Sequence, residues 1–258
     1  MTTVNRRAVA TMVKIFAVAQ SHEPIISQED LNTVLLGSSW FRALPDYLIE
    51  QMMSLASLYQ YDNGEVIHYR GDESLGLYAV ITGSVKVSSV SADGRECIFR
   101  YLSPGNWLGE IGMIDKSTRT HDARAVGKTI LLTLKPRDVE HLLQNYPILH
   151  RFLALLLCKV VRNAFTMLHD STLLSVSARL AKRLVSLSEG YGEPHERGVL
   201  INLYLTQDDL ATIINTTRQT INKRLVAWEK LGWIDAKYGK ILIVNITALK
   251  QLYADEDE

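Results

Sequence analysis

Residues 205–233, LTQDDLATIINTTRQTINKRLVAWEKLGW, admit few folds, because two capped helical patterns follow one another across a turn with room only for a tight corner. Thr206 with Asp209 three residues on forms a capping box, and Leu210, Ile213 and Ile214 turn apolar side chains inward from the helix it opens. Asn215 takes the corner, where left-handed backbone suits Asn better than most residues. Thr216 or Thr217 caps the second helix, in which Ile221, Leu225 and Trp228 recur at three- and four-residue spacing and mark a buried stripe.

The opposite side of that second helix carries Gln219 and Lys223, with Thr217, Arg218 and Asn222 beside them. Arg and Lys donate to the O6 and N7 acceptors of guanine, while Gln and Asn pair with N6 and N7 of adenine. All five lie in the first turns, the part of such a helix that enters a major groove. An ordinary polar face on a small helical domain is the alternative. Against it stand residues 231–245, LGWIDAKYGKILIVN, which alternate apolar and polar on both sides of Tyr238-Gly239-Lys240 and predict a β-hairpin wing. Lys237 and Lys240 near its tip are placed to meet phosphate.

The chain has 258 residues, of which 47% are hydrophobic and 22% charged, so it is folded and long enough for two cores. Its formal net charge is zero, which excludes an indiscriminate polycation; DNA affinity must come from the basic residues of the last third, Arg179 to Lys240, and from specific contacts. Cys97 and Cys158 stand far apart without CxxC spacing, giving neither a zinc site nor a disulfide framework, as expected in a reducing cytoplasm. The longest uninterrupted apolar run, residues 152–158, is far short of the roughly 20 residues a membrane span needs. At the N-terminus Arg6, Arg7 and Lys14 alternate with apolar residues without an export signal's core, predicting an extra amphipathic helix or a loose arm.

Over about residues 55–134 short β-rich runs (GEVIHYR, LYAVITG, SVKVSSVS, CIFRYL, TILLTL) alternate with turn signals at Asp62-Asn63-Gly64, Gly71-Asp72, Thr82-Gly83, Asp93-Gly94 and Ser103-Pro104-Gly105. That spacing predicts a compact antiparallel barrel or jelly roll. Pro136 opens a short helix and Pro147 a long one to about His169, in which Leu153, Leu157, Val160, Ala164 and Met167 trace a coiled-coil seam. Leu149, Phe152, Leu156, Val161, Phe165 and Leu168 make the same helix apolar nearly all round. One side against the barrel and another against a second copy is the simplest account; a core helix of a monomer is the alternative. A further helix covers residues 173–189, and EGYGEPHERG after it reads as a polar loop.

After the strands comes Gly109-Glu110-Ile111-Gly112, followed by Arg119-Thr120. The two glycines let backbone approach a ligand and turn into a helix start, where free N–H groups favour an anion. Arg119 forks onto a phosphate, Thr120 adds a hydroxyl donor, and Glu110 accepts from a ribose hydroxyl. A nucleotide cradle is the expectation.

A jelly-roll sensor with GEIGMIDKSTRT, a long seam-bearing helix and a C-terminal RQTINKRL recognition helix resembles the CRP/FNR family of bacterial transcription regulators, over about residues 40–244. The resemblance implies a cyclic-nucleotide-type pocket at Gly109, Glu110, Arg119 and Thr120 and base contacts from Arg218, Gln219 and Lys223. Gln219 stands where many relatives have Glu, so the preferred half-site need not be theirs. His121-Asp122 follows Arg119-Thr120 where the cAMP pattern has Ala, and the Thr-Ser pair that touches adenine in cAMP-responsive members is Ala164-Phe165 here. Phe165 is expected in the core, with stacking on a purine as the alternative. The effector therefore stays open among a cyclic nucleotide, a cyclic dinucleotide and no nucleotide at all.

The expected fold class is α+β: a 1–35 N-terminal extension, a 36–145 antiparallel jelly-roll sensor domain, a 146–170 dimerisation helix and a 171–258 winged helix-turn-helix. The expected function is a cytoplasmic homodimeric regulator on two-fold symmetric double-stranded DNA, with RNA polymerase as the partner the resemblance implies. A cyclic-nucleotide-binding module acting on a protein partner is the second reading; it accounts for the barrel but not for TTRQTINKRL and a wing. No catalytic or metal site is expected: there is no P-loop, nucleophile elbow or ligand cluster, and two dispersed cysteines cannot hold an iron–sulfur cluster. A haem would need an axial ligand such as His68, His121, His150 or His169, each more simply a surface or hydrogen-bonded histidine.

Overall fold

Ser27 opens the first helix of the computed structural model, which describes residues 26–257, by accepting from the amide of Asp30. That helix, α1 (Gln28–Gly37), buries Leu31 and Leu35. It begins inside the expected N-terminal extension, and its two leucines join the sensor core. The arm or helix expected over residues 1–25 lies outside the described residues. α2 (Ser39–Arg42) and α3 (Asp46–Leu55) add Trp40, Phe41, Leu48, Ile49, Met52 and Met53 to the same core. Phe41 stacks on Trp107 at 5.5 Å between ring centroids. A fully buried side chain of this size contributes about 1.5–3 kcal/mol.

The strands that follow are β1 (Ser57–Tyr61), β2 (Val66–His68), β3 (Leu77–Val90), β4 (Glu96–Leu102), β5 (Trp107–Leu108) and, after the short helix α4 (Glu110–Asp115), β6 (Asp122–Leu134). They form one sheet in the order β1-β6-β3-β4, with β2 on β6 and β5 on β3. The long strand β6 is the spine, antiparallel to β1, β2 and β3. The turns expected at Gly64, Gly71, Gly94 and Gly105 all place glycine at positive φ. The one expected at Thr82-Gly83 is absent: β3 runs straight through it. The pairing register with β6 shifts on both sides of Thr82, so Gly83, at φ +72°, is a bulge rather than a corner. A Cβ there would come within 2.8 Å of the Thr129 Cα, which leaves only glycine room.

α5 (Pro136–Asn145) and α6 (Ile148–Leu173) complete this part. α6 buries Leu149, Leu153 and Leu156, and the indole of Trp40 donates to the Phe152 carbonyl at 2.6 Å. The expected seam is thus divided. Leu153 belongs to the sensor core, whereas Ala164 and Met167 further along are exposed. Phe165, expected in the core, is 67% exposed.

The chain separates into two units, residues 26–89 with 100–161, and 90–99 with 162–257, so the boundary falls within α6. In the second unit Ser175 caps α7 (Val176–Tyr191) by accepting from Ala178. Residues 189–198, expected as a loop, instead carry β7 (Gly192–His195), paired with β8 (Gly198–Ile201). β7 is exposed along its whole length and includes Pro194, so it shows neither the alternation nor the residue types of an inner strand; Pro is tolerated because it lies at the sheet edge. Then come α8 (Gln207–Ile213), α9 (Arg218–Lys230), β9 (Ile234–Lys237), β10 (Lys240–Ile243) and α10 (Ile246–Asp257). The sheet runs β7-β8-β10-β9. Ile221, Leu225, Trp228, Ile241 and Leu249 are buried here.

Candidate functional site

The expected sensor residues come together in one cleft, lined by Gly109, Glu110, Ile111, Gly112, Arg119 and Thr120. β5 delivers the chain to Gly109, which turns into α4 at φ +100°. A Cβ there would collide with the Gly76 carbonyl and approach Arg119 Nη1 to 2.7 Å, so glycine is required for both conformation and space. At the far end of α4, Lys116 is also left-handed, and the chain returns to bring Arg119 in beside Gly109.

Arg119 is fixed by its backbone, whose amide donates to Asp72 O at 2.8 Å and whose carbonyl accepts from Gly71 at 2.9 Å. Its guanidinium is buried. Nη2 donates to Gly76 O at 2.9 Å, the group lies 5.2 Å from the Tyr78 ring centroid, and Nε has no partner among the described residues. Glu110 is 3% exposed. Burial pushes its carboxyl up, while backbone hydrogen bonds and the positive charges of Arg100 and Arg119 hold it down. Thr120 keeps its side chain exposed, within 2.8 Å of His121 Nδ1. The cleft has a free volume of about 10 Å³, room for about one water.

Three of its neighbours carry no motif in sequence. Arg100, on β4, lines the cleft, and so does His121. His68 is buried with neither ring nitrogen hydrogen-bonded among the described residues, 5.9 Å from the His121 ring and 6.4 Å from the Tyr78 ring. Burial, then Arg119 and His121, pushes His68 down to about 3; burial, then Arg100 and Arg119, pushes His121 down to about 4. Both imidazoles are therefore neutral. Sequence names both as conceivable haem ligands and His121 also as a departure from the cAMP pattern; the pairing of β2 with β6, which sets His68 against Ala123, brings the two rings together, and no local spacing announces it. Among the described residues no three His, Cys, Asp or Glu side chains gather as metal ligands would.

The second site is built by caps. Thr206 Oγ1 accepts from the Asp209 amide at 3.0 Å while Asp209 accepts from the Thr206 amide at 2.9 Å, completing the capping box of α8. Asn215 takes the corner at φ +53°. Thr217, not Thr216, caps α9, accepting from Thr220 at 3.2 Å. This leaves Thr217, Arg218, Gln219, Asn222 and Lys223 exposed together on the first two turns of α9. Arg218 lies 3.3 Å from Asp208, an exposed pair too weak to withhold the side chain, and Asn222 accepts from Gln207 at 3.2 Å. The wing is the predicted hairpin: Lys237 pairs with Lys240 across Tyr238 and Gly239, both at positive φ, and the Tyr238 side chain is 96% exposed. Its lysines are partly engaged, Lys237 with Asp235 and Lys240 with Asn202.

Two family models match the chain: residues 58–146 match the cyclic nucleotide-binding domain and residues 178–252 the Crp-like helix-turn-helix domain. A sensor of that type joined to a winged helix-turn-helix defines an effector-controlled, DNA-binding transcription regulator. The chain is 23% identical over 213 residues to the CRP-like cAMP-activated global transcriptional regulator of Mycobacterium tuberculosis, covering 83% of this chain and 95% of that protein. It is 27% identical over 217 residues to the cyclic AMP receptor protein of Thermus thermophilus, covering 84% and 97%. Its fold superposes on a solved CRP/FNR-family transcriptional regulator, also from Thermus thermophilus, with a TM-score of 0.66 and 26% identity, over 77% of this chain and 99% of that one. The chain belongs to the CRP/FNR family of transcription regulators. A helix-turn-helix along with the sensor disfavours a module that acts only on a protein partner.

Proposed function

We propose that the chain works as a homodimer on two-fold symmetric DNA, with Arg218, Gln219 and Lys223 reading base edges, Thr217 and Asn222 supporting them, and a nucleotide effector held by Gly109, Glu110, Ile111, Gly112, Arg119 and Thr120. The observation that carries the reading is the exposed set on the first turns of α9 behind an intact pair of caps. Two such helices related by a dyad require half-sites roughly 34 Å apart. Arg218→Ala and Lys223→Ala should each weaken specific binding about tenfold to a hundredfold and relax base preference, measured by gel shift at matched salt. Unchanged sequence preference in both variants defeats the assignment.

The second copy is supported by α6. Leu155, Val161, Phe165, Leu168 and Leu173 are each more than half exposed. By length and composition α6 could cross a membrane, which the short apolar run in the sequence does not suggest. Lys159 and Arg162 stand in its middle, however, and each would cost about 2.5–3.5 kcal/mol at a bilayer centre. A partner helix leaves both in water.

Two of the named relatives are described as a cAMP-activated regulator and a cyclic AMP receptor protein, and the Arg119–Glu110 pair suits a phosphate and a sugar hydroxyl. Ala164 and Phe165 offer no hydroxyl for adenine, so cAMP itself is not the favoured ligand. Entry of any nucleotide must open the cleft and exchange the Arg119 bond to Gly76. Effector and DNA then strengthen or weaken one another reciprocally. A cytoplasmic location and contact with RNA polymerase belong to the same proposal, and the likeness to transcription regulators supports them.

A further inference from the structure

The cradle of Glu110, Arg119 and Thr120 accounts for one phosphate and one sugar hydroxyl, and Arg100 is left over. It lines the same cleft from β4 and is half-buried. Among the described residues its side chain forms no hydrogen bond and no ion pair within 4.0 Å. Glu110 is the one carboxylate in the cleft lining, and it is shared electrostatically between Arg100 and Arg119 without closing on either. His121 beside them is neutral, held down by burial and by the same two cations. Arg119 has Asp72 as well as Glu110 to offset its charge, and Asp122 acts on His121, whereas Arg100 has only its share of Glu110, so its positive charge is the one least balanced in a place where water only partly solvates it. Such a charge is destabilising unless something neutralises it. Arg119 offers its own unpaired Nε as well, and that side chain is 5% exposed.

We propose that Arg100 is a second anion-holding residue of the effector cleft, selecting a nucleotide that carries at least two phosphate charges over one that carries a single charge. A planar fork on each of two walls suits two phosphate edges, one on Arg119 and one on Arg100. The chemistry is met by two phosphodiesters in one ring or by a terminal phosphate monoester. The inference rests on the effector reading of the cleft given above.

The test is calorimetry on the full-length protein with cAMP, 5′-AMP and cyclic di-AMP and with their guanine counterparts, in wild type, Arg100→Gln, Arg100→Lys and Arg119→Ala. In the wild type a doubly charged ligand binds at least tenfold tighter than the cyclic mononucleotide of the same base. In Arg100→Gln that preference shrinks tenfold or more, Arg100→Lys retains part of it because the charge remains, and Arg119→Ala weakens every ligand. Preference for the ring over the monoester identifies two phosphodiesters as the source; the reverse identifies a terminal phosphate. Thermal melting and unliganded DNA binding of each variant report folding, and the lysine variant carries the test if the glutamine variant unfolds. A wild-type preference for the singly charged ligand, or one that Arg100→Gln leaves intact while Arg119→Ala removes binding, overturns the inference and leaves the cleft standing. No binding by any probe, or binding indifferent to Arg119, sinks the cleft assignment and the inference with it.

Discussion

His68 and His121 show how single side chains in this sensor are set by their surroundings. In the unfolded chain each takes a proton near pH 6.5, whereas in the folded chain burial and the neighbouring guanidiniums push them down to about 3 and about 4. Between those values the unfolded state binds more protons, so stability rises with pH there and is lost as pH falls through 6.5. Above pH 7 the contribution is complete. Chemical denaturation at pH 7.0 and pH 4.5 should show a loss of several kcal/mol on acidification, on the order of the two shifts together. His68→Gln should flatten that slope by about one proton. An unchanged slope means that His68 already carries a charge in the folded state.

At the level of elements, local rules are legible where the chain obeys them within a few residues. The capping box of α8, the left-handed Asn215, the buried stripe of α9 and the wing turn at Tyr238-Gly239 all follow from residue type at fixed offsets. Thr206→Ala removes one cap and should lower stability by about 1 kcal/mol in a urea melt, with Thr206→Ser close to wild type. A loss below about 0.3 kcal/mol would mean that packing against α9, not the cap, holds α8 in place. Elements whose reason lies elsewhere mislead a local reading. Gly83 resembles a turn glycine, but pairing with β6 makes it a bulge in a long strand. β7 has the composition of a loop and becomes a strand because β8 offers it an edge.

For the whole molecule the decisive feature is that α6 is apolar on more sides than its own chain covers. Leu149, Leu153 and Leu156 are used by the sensor core; apolar residues beyond them, Phe165 and Leu168 among them, stay exposed, which is what the proposed partner helix would cover. Phe165→Glu with Leu168→Glu should convert the protein to a monomer in sedimentation and reduce affinity for a palindromic site at least about a hundredfold, because two linked readers become one. A dimer that survives both charges places the interface elsewhere.

Residue order alone was sufficient for the capped helix pair α8 and α9 and for the glycine turn at Gly109, since caps, helical period and glycine spacing act over fewer than a dozen neighbours and need no other part of the chain. It could not supply Arg100 and the half-buried His121 as cleft groups or the buried His68 beside them, nor show which apolar residues of α6 stay uncovered. Those depend on strands and helices far apart in sequence being packed side by side, and burial, charge and exposure acquire values only once that packing exists.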